Sequence, residues 1–132
     1  MRIRRIEGDG NCLFNSCGFQ LGIDHVDLRQ EIVDLMMSNP QFQVGDKTIQ
    51  QWVEMTEPDY YHYVEQLQKD RSWGTGFELA IISVKYKRTI RIYRRCSKHP
   101  ETRFHETFKY FPEFGNDINI LFTKNHYDAL LN

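Results

Sequence analysis

One change of hydrophobic pattern divides this 132-residue chain. Up to Lys87, apolar side chains recur with the spacing of amphipathic helices, whereas from Thr89 onward short runs of β-branched and aromatic residues are separated by turn residues. Helices gathered first and strands later are typical of α+β proteins. Because a chain of this length is expected to bury one core, we predict a single compact domain over residues 1–132, with a mixed β-sheet packed between helices.

Local signals locate the individual elements. The best helix signals are Asp24 as an N-cap and the Thr75/Glu78 pair, which has the spacing of a capping box; Thr56 and Asp59 resemble a second box. We predict helices over residues 12–21, 24–39, 48–55, 56–70 and 72–87. The predicted buried face of the second helix includes Val26, Ile32, Val33, Leu35, Met36 and Met37. We predict strands over residues 2–7, 89–95, 104–111, 118–123 and 126–131.

The segment GDGNCLF, residues 8–14, places Cys12 at the start of the first predicted helix. Unpaired backbone N–H groups and the positive end of the helix dipole favour an anion there, and cysteine attacks as the thiolate. Gly8 and Gly10 permit a turn whose N–H groups converge as an oxyanion requires, and Asp9 can hold that turn by bonding to its own amides. An ordinary turn before a buried cysteine has the same pattern, so this segment alone leaves both interpretations open.

The segment HYD near the C-terminus offers a partner for a thiol. If the segment is extended, His126 and Asp128 project from the same face and Tyr127 from the other. The carboxylate can then accept the imidazole N–H, fix its tautomer and leave the other ring nitrogen for a thiol. The alternative is a surface strand end in which these residues occur together by chance.

Composition argues against several other classes. The formal net charge is −1 and the basic residues are scattered, so a nucleic-acid partner is not expected. No apolar run is long enough to span a membrane, and none follows the basic start as in a signal peptide. With three cysteines, an odd number, we expect free thiols and a reducing, cytoplasmic location rather than secretion.

No metal site is predicted from the cysteines and histidines. On a helix, Cys12 and Cys17 would point roughly 140° apart and could not converge on one ion. Cys96 and His99 could form half of a zinc site, but no second pair has the required spacing.

Three segments together resemble the OTU (ovarian tumour) family of cysteine proteases. They are DGNCLF at residues 9–14, WGTGFEL at residues 73–79 and HYD at residues 126–128, in the order found in the family. The resemblance implies a papain-like fold and a thiol deubiquitinase that hydrolyses the bond after the C-terminal glycine of ubiquitin through an acyl-enzyme. Ubiquitin or polyubiquitin would be the partner, no cofactor would be needed, and we expect a monomer.

The resemblance also implies roles for individual residues. Cys12 would be the nucleophile, His126 the general base and later the acid, and Asp128 the residue that orients it. Asp9 would support the oxyanion hole, and in some descriptions of the family it is counted as catalytic. The oxyanion turn would consist of Gly10, Asn11 and Cys12, and the channel for the ubiquitin tail would include Trp73, Gly74 and Tyr127.

Two alternatives stay open at this point. The same residues would serve a protease for another ubiquitin-like modifier or for a polyprotein. A module that binds ubiquitin without cleaving it would be expected to lack Cys12 or His126, and both are present.

Overall fold

The computed structural model describes all of residues 1–132. In chain order the elements are β1 (Arg2–Arg4), α1 (Cys12–Leu21), α2 (His25–Ser38), β2 (Gln43–Val44), β3 (Lys47–Thr48), α3 (Ile49–Glu54), α4 (Tyr60–Leu67), α5 (Gly76–Tyr86), β4 (Ile90–Arg95), β5 (Phe104–Tyr110), β6 (Ile118–Thr123) and β7 (His126–Leu131). The predicted α+β class is confirmed.

Five strands form one mixed sheet in the order β1-β7-β6-β4-β5. Strands β4 and β6 run parallel and the other neighbouring pairs run antiparallel. Arg2 lies opposite Leu131 in the β1–β7 pair, so the first and last strands are neighbours. The residues just after β1 are thereby brought beside the start of β7.

Two of the predicted capping signals act as expected. Before both of them in the chain, α1 ends at Gly22, whose φ of 74° lies in the left-handed region and whose N–H bonds to the Gly18 carbonyl. The Asp24 carboxylate accepts the Val26 N–H at the start of α2. The Thr75/Glu78 capping box is complete at the start of α5. These local bonds explain why the sequence located the helix ends within a few residues.

Some of these expectations were wrong. Thr56 does not cap α4, because its N–H bonds back to the Val53 carbonyl in the turn that ends α3; the cap is Asp59, which accepts the His62 N–H. Val26 and Met37 are exposed, so the buried face of α2 is narrower than predicted. The β2–β3 hairpin was not predicted, since two-residue strands show no periodicity.

A cluster of 20 buried side chains joins the helices to the sheet. Helix α1 contacts β6 and β7, and α5 contacts β4 and β5. Gln20 of α1 bonds both backbone groups of Asn119 in β6, with its amide donating at 2.8 Å and its carbonyl oxygen accepting at 3.0 Å. These contacts fix α1 against the sheet, and the bond from Ser16 Oγ to the Tyr127 carbonyl holds its first half beside the start of β7. No helix is long and apolar enough to cross a bilayer.

Candidate active site

The turn before α1 is held by its own side chains. Asp9 Oδ1 accepts the Asn11 N–H at 3.1 Å. Asn11 occupies the N-cap position of α1, but its side chain makes no capping bond to the helix. The backbone N–H groups at the start of α1 therefore remain available to an anion, and Cys12, fully buried, lies at that position.

Gly10 fits this turn because it has no side chain. Its φ is 84°, and a Cβ placed there would lie 2.0 Å from the Arg71 carbonyl oxygen. The turn is thus pressed directly against the backbone that follows α4. The Asn11 side chain bonds to the same segment, donating to Asp70 Oδ1 at 3.1 Å and accepting the Arg71 N–H at 3.1 Å.

At the other end of the chain, β7 places His126 and Asp128 on one face, as the alternation predicted. His126 Nε2 donates to Asp128 Oδ1 at 2.8 Å, and the Ile6 N–H donates to the same oxygen at 2.7 Å. The Asp128 side chain is 6% exposed and that of His126 is 28% exposed. The carboxylate is therefore fixed from two directions, and it fixes the imidazole in turn.

The second imidazole nitrogen points away from Asp128. His126 Nδ1 is buried and has no hydrogen-bond partner, and it would lie 3.5 Å from a Cβ built on Gly8. A buried polar atom without a partner is rare and is often found where a reaction requires one. This nitrogen faces the turn that leads to Cys12.

Strand β7 also lies against the helix that carries the candidate nucleophile. Ser16 Oγ donates to the Tyr127 carbonyl at 3.0 Å, which ties α1 to the residue after His126. Because His126 Nδ1 has no partner, the thiol and the imidazole are not hydrogen-bonded in this state.

The acidity of Cys12 differs from the expectation based on the helix N-terminus. Burial raises the pKa of the Cys12 thiol, and the negative charge of Asp9 raises it further, although backbone N–H groups of Tyr127, Leu13 and Cys12 oppose the change. Loss of solvation thus raises the pKa of this thiol more than the N–H groups at the helix start lower it. Burial alone raises the pKa of Cys17 to about 12, and this thiol belongs to the hydrophobic core.

A groove of about 430 Å³ lies beside β7, close to where α1 packs on this strand. Its lining residues are Trp73, Gly74, Phe122, Asn125 and Tyr127. Three of these were predicted as channel residues from the resemblance, and Phe122 and Asn125 were not. Trp73 is 50% exposed, so it is not a core aromatic. A Cβ on Gly74 would lie 2.9 Å from Leu13 Cδ1, so a side chain here would press on α1.

Arg29 was also missed by the sequence analysis. Its guanidinium is buried and donates to the Asn11 Oδ1 atom at 2.8 Å. A signal was available, because Arg29 begins the helical stripe that continues with Ile32, Val33 and Met36, all of which are buried. A charged residue in such a stripe indicates a buried partner.

No three His, Cys, Asp or Glu side chains converge in a way that could hold a metal ion.

Comparison with known proteins identifies the family to which this chain belongs. The family model of the OTU-like cysteine protease matches residues 7–127, which include both the turn and the histidine of β7. The chain therefore belongs to the OTU-like cysteine protease family. An Arabidopsis thaliana protein, OVARIAN TUMOR DOMAIN-containing deubiquitinating enzyme 2, is 28% identical over 134 residues, which cover 96% of this chain and 56% of the relative.

The curated relatives are longer proteins, and the chain spans 10%, 34% and 56% of three of them. Among solved structures, the OTU domain of OTUD1 is similar with a TM-score of 0.76 and 19% identity, covering 98% of this chain and 85% of that one. The Hazara virus OTU, solved bound to ubiquitin, has a TM-score of 0.74 and 17% identity and covers 98% of this chain and 80% of that one. The predicted papain-like OTU fold is thus confirmed.

Proposed function

We propose that this chain is a thiol deubiquitinase that hydrolyses the isopeptide or peptide bond after the C-terminal glycine of ubiquitin. The observation that carries the proposal is the contact between the start of α1, with the buried Cys12, and β7, where Asp128 holds His126. The family membership, the deubiquitinating relative and the ubiquitin-bound viral structure support ubiquitin as the substrate.

In the proposed reaction, the Cys12 sulfur attacks the glycine carbonyl carbon, and the thiol proton passes to His126 Nδ1. Because burial raises the pKa of the Cys12 thiol, we propose that the resting protein holds a neutral thiol and that this transfer accompanies attack. Nδ1 is suited to receive the proton, since it has no other partner and Asp128 stabilises the resulting imidazolium through Nε2.

The following steps use the same groups. Backbone N–H groups of the turn from Gly10 to Cys12 would hold the oxyanion, with Asp9 keeping the turn in shape. His126 would then protonate the leaving lysine amine, which breaks the C–N bond and leaves a thioester. A water molecule that gives one proton to His126 Nδ1 would then attack the thioester carbonyl. The C–S bond breaks, the proton on Nδ1 returns to the Cys12 sulfur, and ubiquitin leaves with a free carboxylate.

The groove offers a place for the tail of the substrate. Trp73 and Tyr127 line it, and Gly74 adds no side chain to its wall. We propose that the last residues of ubiquitin lie here, because the groove borders β7 close to His126 and is lined by Gly74, which packs on α1 beside Cys12.

A ubiquitin probe that carries a C-terminal electrophile tests the proposal. We expect the wild-type protein to form a covalent adduct of one probe per chain and Cys12→Ala to form none, as measured by intact mass. Cys96→Ala is the matched control, because this free thiol directly follows β4, whereas the candidate site lies at the β1–β7 edge of the sheet; labelling should be unchanged. Absence of a wild-type adduct, or an adduct that persists in Cys12→Ala, would falsify the proposal.

We also propose that residues 1–132 act as one OTU domain in a reducing, cytoplasmic environment. The three cysteines are unpaired, which fits a thiol nucleophile that must stay reduced. The monomeric state remains a prediction.

A further inference from the structure

Arg29 of α2 bonds to three separate segments around the candidate oxyanion turn. Its side chain is nearly excluded from solvent, as the residue is 6% exposed. Nη1 donates to the Leu67 carbonyl at 2.8 Å, and Nη2 donates to Asn11 Oδ1 and the Ser72 carbonyl, each at 2.8 Å. A longer contact of 3.4 Å reaches the Gly10 carbonyl. One guanidinium therefore connects α2, the end of α4, the segment after it and the turn.

The guanidinium keeps its charge although it is buried. Its central carbon lies 4.5 Å from the centre of the Phe14 ring, in a cation–π contact. Burial lowers the pKa of Arg29, whereas the negative charges of Asp70, Glu78 and Asp9 oppose this change. An arginine retains its proton under these conditions, so the bonds to the turn are charge-assisted and strong.

These bonds bear directly on the direction of the turn's backbone groups. Of the four groups that accept hydrogen bonds from Arg29, one is the Gly10 carbonyl and one is the Asn11 side chain. Gly10 and Asn11 directly precede Cys12. On the opposite side, Gly10 is pressed against the Arg71 carbonyl. The turn is thus held between the guanidinium and the 70–72 backbone, and it has no room to rotate without breaking a buried bond.

We propose that Arg29 is a positioning residue for the oxyanion hole, which acts through Asn11 and Gly10 to aim the backbone N–H groups of the turn at the developing negative charge. This inference rests on the proposed function of the site. Lysine cannot replace arginine here, because a single ammonium lacks the planar set of donors that reaches several acceptors at once.

The first test is the steady-state hydrolysis of a fluorogenic ubiquitin C-terminal amide by Arg29→Lys. We expect kcat to fall by about 100-fold with KM changed less than threefold, because misplacing groups that act in the transition state has effects of this size. A variant whose kcat stays within threefold of the wild-type value would overturn the inference.

Tyr60→Phe is the matched control for a purely structural effect. The Tyr60 hydroxyl is buried and donates to the Met36 carbonyl at 2.8 Å, so it also ties α4 to α2, but it does not contact the turn. Its loss should lower the melting temperature and leave kcat within twofold of the wild-type value. An equal fall of kcat in Tyr60→Phe and Arg29→Lys would contradict a specific positioning role.

A double-mutant cycle with Asn11→Ala tests the route of the effect and covers the case in which Arg29→Lys does not fold. If Arg29 acts through Asn11, Asn11→Ala alone should lower kcat at least 10-fold with little change in KM, and the double variant should lose much less than the product of the two single effects. Normal kcat in Asn11→Ala, or fully multiplicative losses, would overturn the inference.

Hydrogen exchange separates this inference from the proposed function, because it needs no substrate. We expect faster amide exchange in a peptide covering residues 8–14 of Arg29→Lys, and no change there in Tyr60→Phe. If wild-type protein does not hydrolyse the ubiquitin substrate but the exchange difference is present, the proposed function fails and the positioning of the turn stands. Unchanged exchange in Arg29→Lys refutes the positioning itself.

Discussion

Asp128 accepts two hydrogen bonds on one oxygen, from His126 Nε2 and from the Ile6 N–H. Asp128→Asn keeps an acceptor in place and removes only the charge, so we expect kcat to fall by about 10-fold. Asp128→Ala leaves both donors without a partner and frees the imidazole, so we expect a loss of kcat on the order of 100-fold, within the range of general acid–base contributions.

Steady-state kinetics on a ubiquitin C-terminal amide, with urea unfolding of each variant, measure both effects. Asp128→Ala should also lower the free energy of unfolding by about 1 kcal/mol, because the Ile6 N–H loses its partner. If Asp128→Ala keeps more activity than Asp128→Asn, the carboxylate does not orient the histidine.

At the scale of elements, two glycines with similar backbone angles have different surroundings. Gly10 in the turn has a φ of 84° and Gly22 at the end of α1 has a φ of 74°, but only at Gly10 would a Cβ collide with backbone. Gly22→Ala should lower the free energy of unfolding by about 1 kcal/mol through the left-handed backbone alone. Gly10→Ala should lower the free energy of unfolding by more than Gly22→Ala does and should abolish turnover, because the turn must move away from Arg71.

Urea unfolding and turnover of the two variants side by side check this prediction. Equal destabilisation by Gly10→Ala and Gly22→Ala would mean that the turn is not pressed against the 70–72 backbone.

The helices and strands also show which parts of the fold could be predicted from local sequence patterns. Helices α1, α2 and α3 were predicted to within one residue at each end, because the bonds at their termini join residues two to four positions apart, as at Asp24. Helix α5 begins four residues later than predicted, directly after its Thr75 cap. Thr56 was wrongly predicted as a cap of α4, because a threonine also occurs in the turn at the end of a helix, as Thr56 does at the end of α3. The face shared by His126 and Asp128 followed from strand alternation, whereas the bond from Ile6 to Asp128 depends on how β1 pairs with β7. No local pattern specifies such a pairing.

At the scale of the whole molecule, the buried Glu78 couples stability to pH. Burial raises the pKa of Glu78 from 4.5 to about 7, although Tyr63 and Thr75 donate hydrogen bonds that oppose this. The folded protein therefore holds this proton more tightly than the unfolded chain does. The resulting stabilisation is fully present below about pH 4.5 and is lost as the pH rises through 7, with a total of about 3 kcal/mol.

Urea unfolding of wild-type protein and Glu78→Gln at several values between pH 4.5 and 8 isolates this contribution from the other titrating groups. We expect the free energy of unfolding of the wild type, relative to the variant, to fall by about 3 kcal/mol across the range. Parallel pH profiles for the two proteins would show that Glu78 titrates alike in the folded and unfolded states.

The candidate site joins residues 9–12 to residues 126–128 across the paired first and last strands. During translation, Cys12 is synthesised more than a hundred residues before His126. The two side chains can therefore come together only after β7 has been made and has paired with β1. A nascent chain that stops short of residue 126 lacks this histidine beside its thiol, however well its helices have formed.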